Sequence, residues 1–251
     1  MGTVAAVSPL LQTRALRKTF GGVEAVRSAD FRIDRGEIRA LIGPNGAGKT
    51  TLVSMICGRL DPTSGRILFK ARDITRTRPY ERVAFGIVYT FQVSSIFRHL
   101  TAFENVALAA QRRLAHRGWD HVVLDQQRLA DEVERALAQA GLGGVGGRVA
   151  GSLPHGHQKL LELSMALALH PELLVLDEPT QGLGAAEIAA FARLIGDIAG
   201  AATILLIEHN MRLVLDLSQR ITVMDAGRII AEGTPAEIAG NRDVQRAYLG
   251  P

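Results

Sequence analysis

The sequence has little of several features that would place it in a special class of protein. Among its 251 residues there is one cysteine, Cys57, so no disulfide can form within the chain. A disulfide-free chain fits a reducing compartment, and a lone thiol in an apolar segment is expected to be a buried packing residue. No run approaches the roughly 18 uncharged apolar residues of a membrane-spanning helix, and no basic stretch followed by an apolar core opens the sequence. We expect a soluble chain that reaches a membrane only through a partner.

The chain also lacks a strong charge imbalance, since its formal net charge is +4. Its arginines are scattered, and the aromatic residues, at 5%, do not alternate with them as they do in many nucleic-acid-binding surfaces. No direct binding of nucleic acid is therefore expected. Apolar residues are abundant, and a hydrophobic content of 47% is enough for a sizeable core in one large domain, with or without a subdomain.

The most informative motif consists of Gly43 and Gly48, with four residues between them, followed by Lys49 and Thr50. This spacing is typical of loops that bind phosphates. Lys49 is predicted to reach the β- and γ-phosphates of a nucleotide, and the Thr50 hydroxyl is predicted to bind Mg²⁺. The predicted phosphate-loop residues are Gly43, Pro44, Asn45, Gly46, Ala47, Gly48, Lys49, Thr50 and Thr51.

The segments on both sides of this loop support the same interpretation. Residues 38–42 form a short apolar, β-branched run that predicts a strand, and residues 51–57 predict a helix that ends at Gly58. The backbone N–H groups of a loop between a strand and a helix, together with the positive end of the helix dipole, make an anion site. An accidental glycine turn would not require these flanking elements.

A second candidate site follows an apolar run at residues 173–176, which predicts a buried strand ending in Asp177 and Glu178. Ligand sites of parallel sheets lie at the carboxyl ends of the strands. Asp177 is predicted to hold Mg²⁺, directly or through a water molecule, and Glu178 to polarise the water that attacks a γ-phosphate. The alternative is an exposed acidic turn, which the presence of the phosphate loop disfavours.

The order of elements predicts an α/β fold of the P-loop NTPase (RecA-like) class. Buried apolar strands separated by helices predict a mainly parallel core sheet, and apolar–polar alternation over residues 29–34 predicts an antiparallel β subdomain. Thr101 and Glu104 predict a capping box that opens an inserted α-helical subdomain. The predicted divisions are a flexible tail at 1–9 and a single domain at 10–251, with its core and β subdomain at 10–92 and 168–251 and its helical subdomain at 93–167.

Several local signals predict individual elements. A helical stripe at positions 129, 133, 137 and 140 predicts a packed helix, and Asp225-Ala-Gly227 predicts the turn of a β-hairpin. The remaining predicted elements are a turn at 63–65 before a strand at 66–69, a short helix at 79–85, a strand at 86–91, a helix from 102 to 108, an apolar helical face at 188–198 and a strand at 203–207.

In their order these motifs resemble the nucleotide-binding subunit of an ATP-binding cassette (ABC) transporter, over about residues 10–250. The resemblance implies that Phe20 stacks on adenine, that Gln92 senses Mg²⁺ and the attacking water, and that His209 contacts the γ-phosphate. Alternatively, Phe20 could be a core residue and His209 could be a hydrogen-bonded residue at a strand end. Gln92 by itself gives little support for the resemblance. The family's signature motif corresponds here to Leu153, Pro154, His155, Gly156, His157 and Gln158.

This signature region departs from the family pattern of leucine, serine, glycine, glycine and glutamine. Pro154 occupies the serine position and has neither a backbone N–H nor a hydroxyl to donate to a phosphate, whereas His155 could donate from its ring. A metal site at His155 and His157 is not expected, because two histidines without further ligands rarely complete one. Gly184 lies at or near a position where the family usually has aspartate, so strong coupling between the two sites of a dimer is in doubt.

Within this family the resemblance is strongest to the branched-chain amino-acid importer group. The short sequence segments that carry it are residues 90–92, 96–97, 208–211, 232–235 and 248–250. The resemblance implies ATP and Mg²⁺ as cofactors. It also implies permease partners, a second ABC ATPase or a second copy of the chain, an external solute-binding protein acting indirectly, and a place on the cytoplasmic face of the inner (plasma) membrane. Val93, Ile96 and Phe97 are candidate permease contacts, with ordinary subdomain core as the alternative.

Other function classes stay open at this point. Urea and amide importers share these segments, and lipopolysaccharide-export ATPases share the ending at 248–250. A soluble ABC ATPase that acts on nucleic acid or ribosomes is a further alternative, although such proteins usually carry two cassettes or large insertions. A P-loop kinase would leave the signature region and His209 without a role.

Overall fold

The computed structural model describes residues 8–90, 95–115 and 126–249. The chain divides into two compact units: one comprises Met1–Arg82 and Ala199–Pro251, and the other comprises Val83–Ile198. We call them unit 1 and unit 2. Unit 2 extends beyond the predicted helical subdomain of 93–167 on both sides, and the subdomain limits stay a prediction.

Unit 1 contains two sheets. Its elements are β1 (Leu11–Phe20), β2 (Val23–Ala29), β3 (Arg32–Ile33), β4 (Ile38–Ile42), α1 (Lys49–Ile56), β5 (Ser64–Phe69), β6 (Arg72–Asp73), α2 (Pro79–Ala84, which crosses the unit boundary), β9 (Thr203–Ile207), α7 (Met211–Leu217), β10 (Arg220–Asp225), β11 (Arg228–Gly233), α8 (Pro235–Ala239) and α9 (Arg242–Leu249). One sheet is antiparallel, in the order β2-β1-β5-β6 with β3 beside β1. In the other, β10, β4 and β9 are parallel neighbours and β11 is antiparallel to β10.

Unit 2 combines helices with a parallel pair of strands. Its elements are β7 (Ile87–Thr90), α3 (Ala102–Ala115), α4 (Gln126–Gln139), a short 3₁₀ turn (Ala150–Ser152), α5 (His155–Leu167), β8 (Leu173–Asp177) and α6 (Ala185–Ile198). β7 and β8 align Ile87 with Leu173 and Thr90 with Leu176. The predicted α/β fold with parallel strands, an antiparallel sheet and a helical segment is therefore confirmed.

The parallel strands are buried on both faces, as their apolar sequences predict. Every residue of β4, β8 and β9 is buried. In the antiparallel sheet the alternation is confirmed, because Ala29, Phe31 and Ile33 are buried while Asp30 is exposed. The segment is not one strand, however: β2 ends at Ala29 and β3 begins at Arg32. The buried Thr13 hydroxyl lies at this break, where it donates to the Ala29 carbonyl at 2.8 Å and accepts from the Phe31 N–H at 2.9 Å.

One predicted turn is partly wrong. Ser64 and Gly65 belong to β5, which starts with a register shift against β1 and pairs Ser64 with Arg17. The predicted hairpin is confirmed, since Ala226 and Gly227 both have positive φ (43° and 81°) between β10 and β11. Two such residues are what a two-residue hairpin turn requires.

The helical signals of unit 2 are also confirmed. The Thr101 N–H donates to Glu104 Oε2 at 2.7 Å and the Glu104 N–H donates to Thr101 Oγ1 at 3.1 Å, completing the capping box before α3. α3 continues to Ala115, beyond the predicted 102–108. Val133 and Leu137 of α4 are buried in one apolar cluster with residues of α3 and α5, which we call the helical core.

The burial of the single cysteine and the length of the helices bear on two further expectations. Cys57 is a buried thiol at the end of α1, as predicted. In the part of the chain that the structure describes, no helix combines the length and apolar character needed to cross a membrane.

Candidate functional site

The predicted phosphate loop lies between the buried strand β4 and the start of α1 in unit 1. Gly43 and Gly48 have φ values of 148° and 98°, which side chains rarely adopt. A Cβ atom on Gly43 would lie 2.0 Å from the Met224 carbonyl oxygen, and one on Gly48 would lie 2.4 Å from the Ala25 carbonyl oxygen. Both positions therefore require glycine because neighbouring backbone passes directly beside the loop.

The middle of the loop is attached to the rest of unit 1 by backbone bonds. The Gly227 N–H, in the β10–β11 hairpin, donates to the carbonyl of the buried Ala47 at 3.0 Å. Burial raises the pKa of the Tyr248 phenol on α9, and a backbone hydrogen bond with Gly43 opposes that rise. Asn45 and Gly46, at the tip, are exposed. The loop thus has a fixed base and an accessible tip.

Lys49 is buried although it is charged, with 7% of its surface exposed. Its Nζ donates to the carbonyls of Gly43, at 2.7 Å, and Pro44, at 3.0 Å. The Lys49 ammonium group is therefore held against the start of the phosphate loop by two backbone carbonyls of that loop. Thr50 is exposed in the first turn of α1, which has no acidic residue. The positive end of this helix is thus available to an anion.

Phe20 ends β1 and is 48% exposed, which rules out the alternative that it is a core residue. The two glycines after it, Gly21 and Gly22, have φ values of 48° and 93° and turn the chain into β2. The Lys18 ammonium lies 5.0 Å from the centre of the Phe20 ring. An exposed, cation-supported ring suits a base-stacking role, which stays a prediction.

His209 is exposed two residues after the end of β9, and the residues on both sides of it fix the backbone. The carboxylate of the buried Glu208 accepts the N–H groups of His209, at 3.0 Å, and Asn210, at 3.2 Å. The Asn210 Oδ1 in turn accepts the Leu213 N–H at 3.2 Å and caps α7. The sequence did not reveal the role of Glu208. The Asn210 cap could have been found from the sequence, because an asparagine before an apolar helix is a recognisable N-cap.

In unit 2 the acid pair lies at the end of β8, as predicted. Asp177 is 4% exposed, so the exposed-turn alternative is wrong for this residue. Its Oδ2 accepts a hydrogen bond from the Tyr89 hydroxyl at 2.6 Å. Glu178 is partly exposed and has a φ of 48°, which is uncommon for a residue with a side chain. Tyr89 is a site residue that the sequence did not reveal, since the contact depends on the alignment of β7 with β8.

The signature region begins α5, also in unit 2. Pro154 is the N-cap of the helix and makes no side-chain capping bond. Leu153 is buried, and its carbonyl accepts the Gln158 Nε2 at 2.8 Å. His155 is exposed, and a Cβ on Gly182 would lie 3.3 Å from its ring. His157 Nδ1 is buried without a hydrogen-bond partner among the described residues.

Glu187 connects this helix start to the loop after Glu178. Its Oε2 accepts the Gly184 N–H at 2.8 Å. A Cβ on Gly156 would lie 2.2 Å from Glu187 Oε1, so only glycine fits there without moving the carboxylate. The glycine retained by the signature thus lies against the end of the Glu187 side chain, a contact that the sequence did not reveal.

Two of the predicted site residues, Gln92 and Val93, lie outside the described residues. Of the other candidate permease contacts, Ile96 packs against the helical core, as the core alternative has it. Phe97 is 53% exposed, and its backbone is held by Asn105, whose Oδ1 accepts the Phe97 N–H at 2.7 Å. Phe97 stays a candidate contact.

The available side chains suit Mg²⁺, which needs few protein ligands. They suit less well a metal ion that is bound by protein side chains alone. Asp177 offers a carboxylate and Thr50 a hydroxyl, which are oxygen ligands of the kind that Mg²⁺ prefers. Within residues 8–90, 95–115 and 126–249 no group of three or more His, Cys, Asp or Glu side chains could hold a metal ion. Mg²⁺ characteristically uses one or two protein ligands together with substrate phosphates and water.

Comparison with known proteins agrees with this arrangement. The family model described as "ABC transporter" matches residues 26–181, and that described as "Branched-chain amino acid ATP-binding cassette transporter" matches residues 228–250. The chain is 37% identical over 250 residues to the high-affinity branched-chain amino acid transport ATP-binding protein LivG of Salmonella typhimurium, covering 96% of this chain and 98% of that protein.

Two further similarities complete the comparison. The lipopolysaccharide export system ATP-binding protein LptB of Acidithiobacillus ferridurans is 33% identical, covering 97% of this chain and 98% of that protein. The crystal structure of the ADP conformation of an ATP-binding cassette of an ABC transporter superposes with a TM-score of 0.85 at 28% identity, covering 97% of this chain and all of the other. The predicted P-loop NTPase fold is confirmed by that superposition. The chain therefore belongs to the ABC transporter family, and it is a nucleotide-binding ATPase subunit of that family.

Proposed function

We propose that this ATPase powers the import of branched-chain amino acids, or of related small polar solutes, through partner permeases. The observation that carries the proposal is the match of residues 228–250 to the C-terminal branched-chain amino acid transporter model. The phosphate loop and acid pair occur in exporters as well, and the identities to LivG and LptB, 37% and 33%, differ little. The match of the C-terminal segment favours the importer class over the exporter class.

In the proposed mechanism the groups of unit 1 bind ATP. Lys49 exchanges its bonds with the Gly43 and Pro44 carbonyls for bonds to the β- and γ-phosphates. The loop N–H groups and the start of α1 stabilise the negative charge of the phosphates. His209, whose backbone Glu208 fixes, donates to the γ-phosphate. Phe20 stacks on the adenine ring.

Hydrolysis is assigned to the groups at the end of β8 together with Gln92. Glu178 accepts a proton from the attacking water, and Gln92 orients that water. Thr50 and Asp177 would hold Mg²⁺, which when bound neutralises charge on the phosphates. The buried position of Asp177 and the strained backbone of Glu178 support these roles, since strained residues cluster at functional sites.

The partners and location follow from the proposed class. The chain binds permease subunits and a second ABC ATPase, or a second copy of itself, on the cytoplasmic face of the inner membrane. An external solute-binding protein delivers the cargo, so it acts on this chain only indirectly. Exposed Phe97 is the described residue we propose as a permease contact.

The test reconstitutes the full chain with permeases and a second ABC ATPase of the branched-chain amino acid importer class, in vesicles that contain ATP. ATP-dependent leucine uptake in the presence of the binding protein, lost by at least about 100-fold in Lys49→Ala, supports the proposal. Arg193→Ala, on the exposed surface of α6, is the matched control and should transport normally. Release of lipopolysaccharide instead of uptake, or purification of the chain with ribosomes or DNA instead of permeases, would contradict the proposal.

A further inference from the structure

Tyr89 lies on β7 and reaches the candidate Mg²⁺ ligand Asp177 on β8. The strands are parallel and Tyr89 is aligned with Val175, so Tyr89, Val175 and Asp177 have side chains on the same face of this strand pair. The phenol ring spans the remaining distance, and its oxygen lies 2.6 Å from Asp177 Oδ2. The contact joins residues that are 88 positions apart in the sequence.

The chemistry of this contact fixes which group donates. An ionised carboxylate only accepts hydrogen bonds, so the Tyr89 hydroxyl is the donor. A separation of 2.6 Å lies in the range of about 2.5–2.7 Å that is typical of hydroxyl donors to charged oxygens. Because Asp177 is 4% exposed, water competes little for this bond. The hydroxyl therefore fixes the orientation of the carboxylate group.

The same bond also connects the neighbouring strands β7 and β8 through their side chains, close to their carboxyl ends. A phenylalanine at position 89 would keep the ring but lose this connection.

We propose that Tyr89 is a positioning residue for the Mg²⁺ of the ATPase reaction, acting through its hydrogen bond to Asp177. The inference rests on the proposed metal role of Asp177. Residues that hydrogen-bond a metal-binding side chain hold it in the binding orientation, and their removal typically costs about 10–100-fold in metal affinity. The Tyr89 hydroxyl would supply this support, and the Asp177 carboxylate would hold Mg²⁺, directly or through a water molecule.

The experiment compares the full chain with Tyr89→Phe by titrating Mg²⁺ into protein with a fluorescent ADP analogue. The Mg²⁺ concentration that gives half of the metal-dependent signal is expected to rise about tenfold in the variant. Analogue affinity measured in EDTA is expected to stay within about twofold, because the phosphate loop is unchanged. Tyr80→Phe is the matched control, since Tyr80 is 51% exposed on α2, and its Mg²⁺ midpoint should not move.

Asp177→Asn and the double variant separate the two levels of the proposal. If Asp177→Asn raises the midpoint and Tyr89→Phe adds nothing further to it, the hydroxyl acts through the carboxylate. If Asp177→Asn raises the Mg²⁺ midpoint and Tyr89→Phe does not, the role of Tyr89 is overturned, while the metal role of Asp177 is kept. No effect of either overturns the metal role of Asp177 as well. A loss of analogue affinity in EDTA that equals the loss with Mg²⁺ shows a general structural role and also overturns the inference.

Discussion

At the scale of single residues, the backbone of Glu178 adopts an uncommon conformation next to the buried Asp177. Its φ of 48° places it in a region that costs of order 1–3 kcal/mol for residues with a side chain. The strain directs Glu178 away from the line of β8, while Asp177 completes that strand. Two adjacent carboxylates are thus given different environments, one buried and hydrogen-bonded, the other partly exposed.

Glu178→Gln is expected to reduce ATP turnover by about 10²–10⁴-fold, because an amide cannot accept the proton of the attacking water. ATP binding should be retained, since the phosphate loop is intact. Single-turnover hydrolysis and equilibrium ATP binding measure the two effects. Glu134→Gln, at an exposed position of α4, is the control and should hydrolyse ATP normally. Retention of more than about a tenth of the activity by Glu178→Gln would remove the general-base assignment.

Phe20→Ala is expected to weaken ATP binding by about tenfold, because stacking of a base on an aromatic side chain is worth roughly 1–3 kcal/mol. Phe20→Trp should bind with near-normal affinity and report the nucleotide by quenching of its fluorescence. Val23→Ala tests the surrounding hairpin, because Val23 pairs with Phe20 and is 69% exposed. Equal weakening by Phe20→Ala and Val23→Ala would contradict stacking.

At the scale of elements, the end of the phosphate-loop helix α1 depends on one buried cation. Arg82 is 1% exposed, and its Nη1 donates to the carbonyls of Met55 and Ile56 at 2.6 Å each. Nε and Nη2 bond the segment at Thr75 and Thr77. Burial lowers the pKa of the Arg82 guanidinium, but this group stays charged in proteins. A cation is favourable at this end of the helix dipole.

Arg82→Met is expected to lower the free energy of unfolding by about 2–4 kcal/mol, because buried helix carbonyls lose their donors. Arg82→Lys should recover only part of this, since an ammonium group cannot reproduce the planar set of donors. Urea unfolding of the full chain measures both variants. Arg78→Met, exposed just before α2, should change stability by less than about 0.5 kcal/mol. A loss of less than about 0.5 kcal/mol in the stability of Arg82→Met would contradict the stabilising role of Arg82.

At the scale of the whole molecule, the acid limit of stability should depend on Glu132 of α4. Burial alone would raise the pKa of this carboxyl, but hydrogen bonds from His170 and Arg135 and the charges of Arg113 and His170 lower it overall from 4.5. A carboxyl with a depressed pKa contributes stability above its unfolded value, and that contribution is lost as pH falls through the folded value. It should therefore be complete near neutral pH and disappear below about pH 4.5.

Glu132→Gln is accordingly expected to be less stable than the unmodified chain at pH 7, with a difference that shrinks as pH falls below 4.5. Urea unfolding at a series of pH values measures this difference. Glu134→Gln, two residues along the same helix and exposed, should give no such pH dependence. A stability difference that is constant from pH 7 to pH 3.5 would contradict the role of the Glu132 carboxylate.

The assembled ATPase is expected to turn over asymmetrically if the proposed partner is a different ABC ATPase. Pro154 caps α5 without an N–H or a side-chain bond, so this chain offers a weakened signature to its partner's nucleotide. The site that contains Lys49 should then be the more active one. Lys49→Ala should abolish more of the complex's ATPase activity than the corresponding lysine substitution in the partner. Equal losses would count against asymmetry.

The sequence by itself determined the features that depend on neighbouring residues. The strand before Gly43, the helix from Lys49, the turn at Ala226–Gly227 and the Thr101–Glu104 cap are all set by local backbone preferences. The positions of Asp177 and His209 near strand ends are equally local, because Asp177 directly follows an apolar run and His209 follows one after Glu208. Such features need no knowledge of distant contacts.

Only the tertiary structure decided which distant groups meet. Gly43 faces the Met224 carbonyl, Tyr89 donates to Asp177, and Arg82 bonds the end of α1. Glu187 is likewise held against Gly156. These contacts depend on the register of paired strands and on helix packing between segments far apart in the chain, and a change of one residue in register moves a side chain to the other face. No local pattern carries that information.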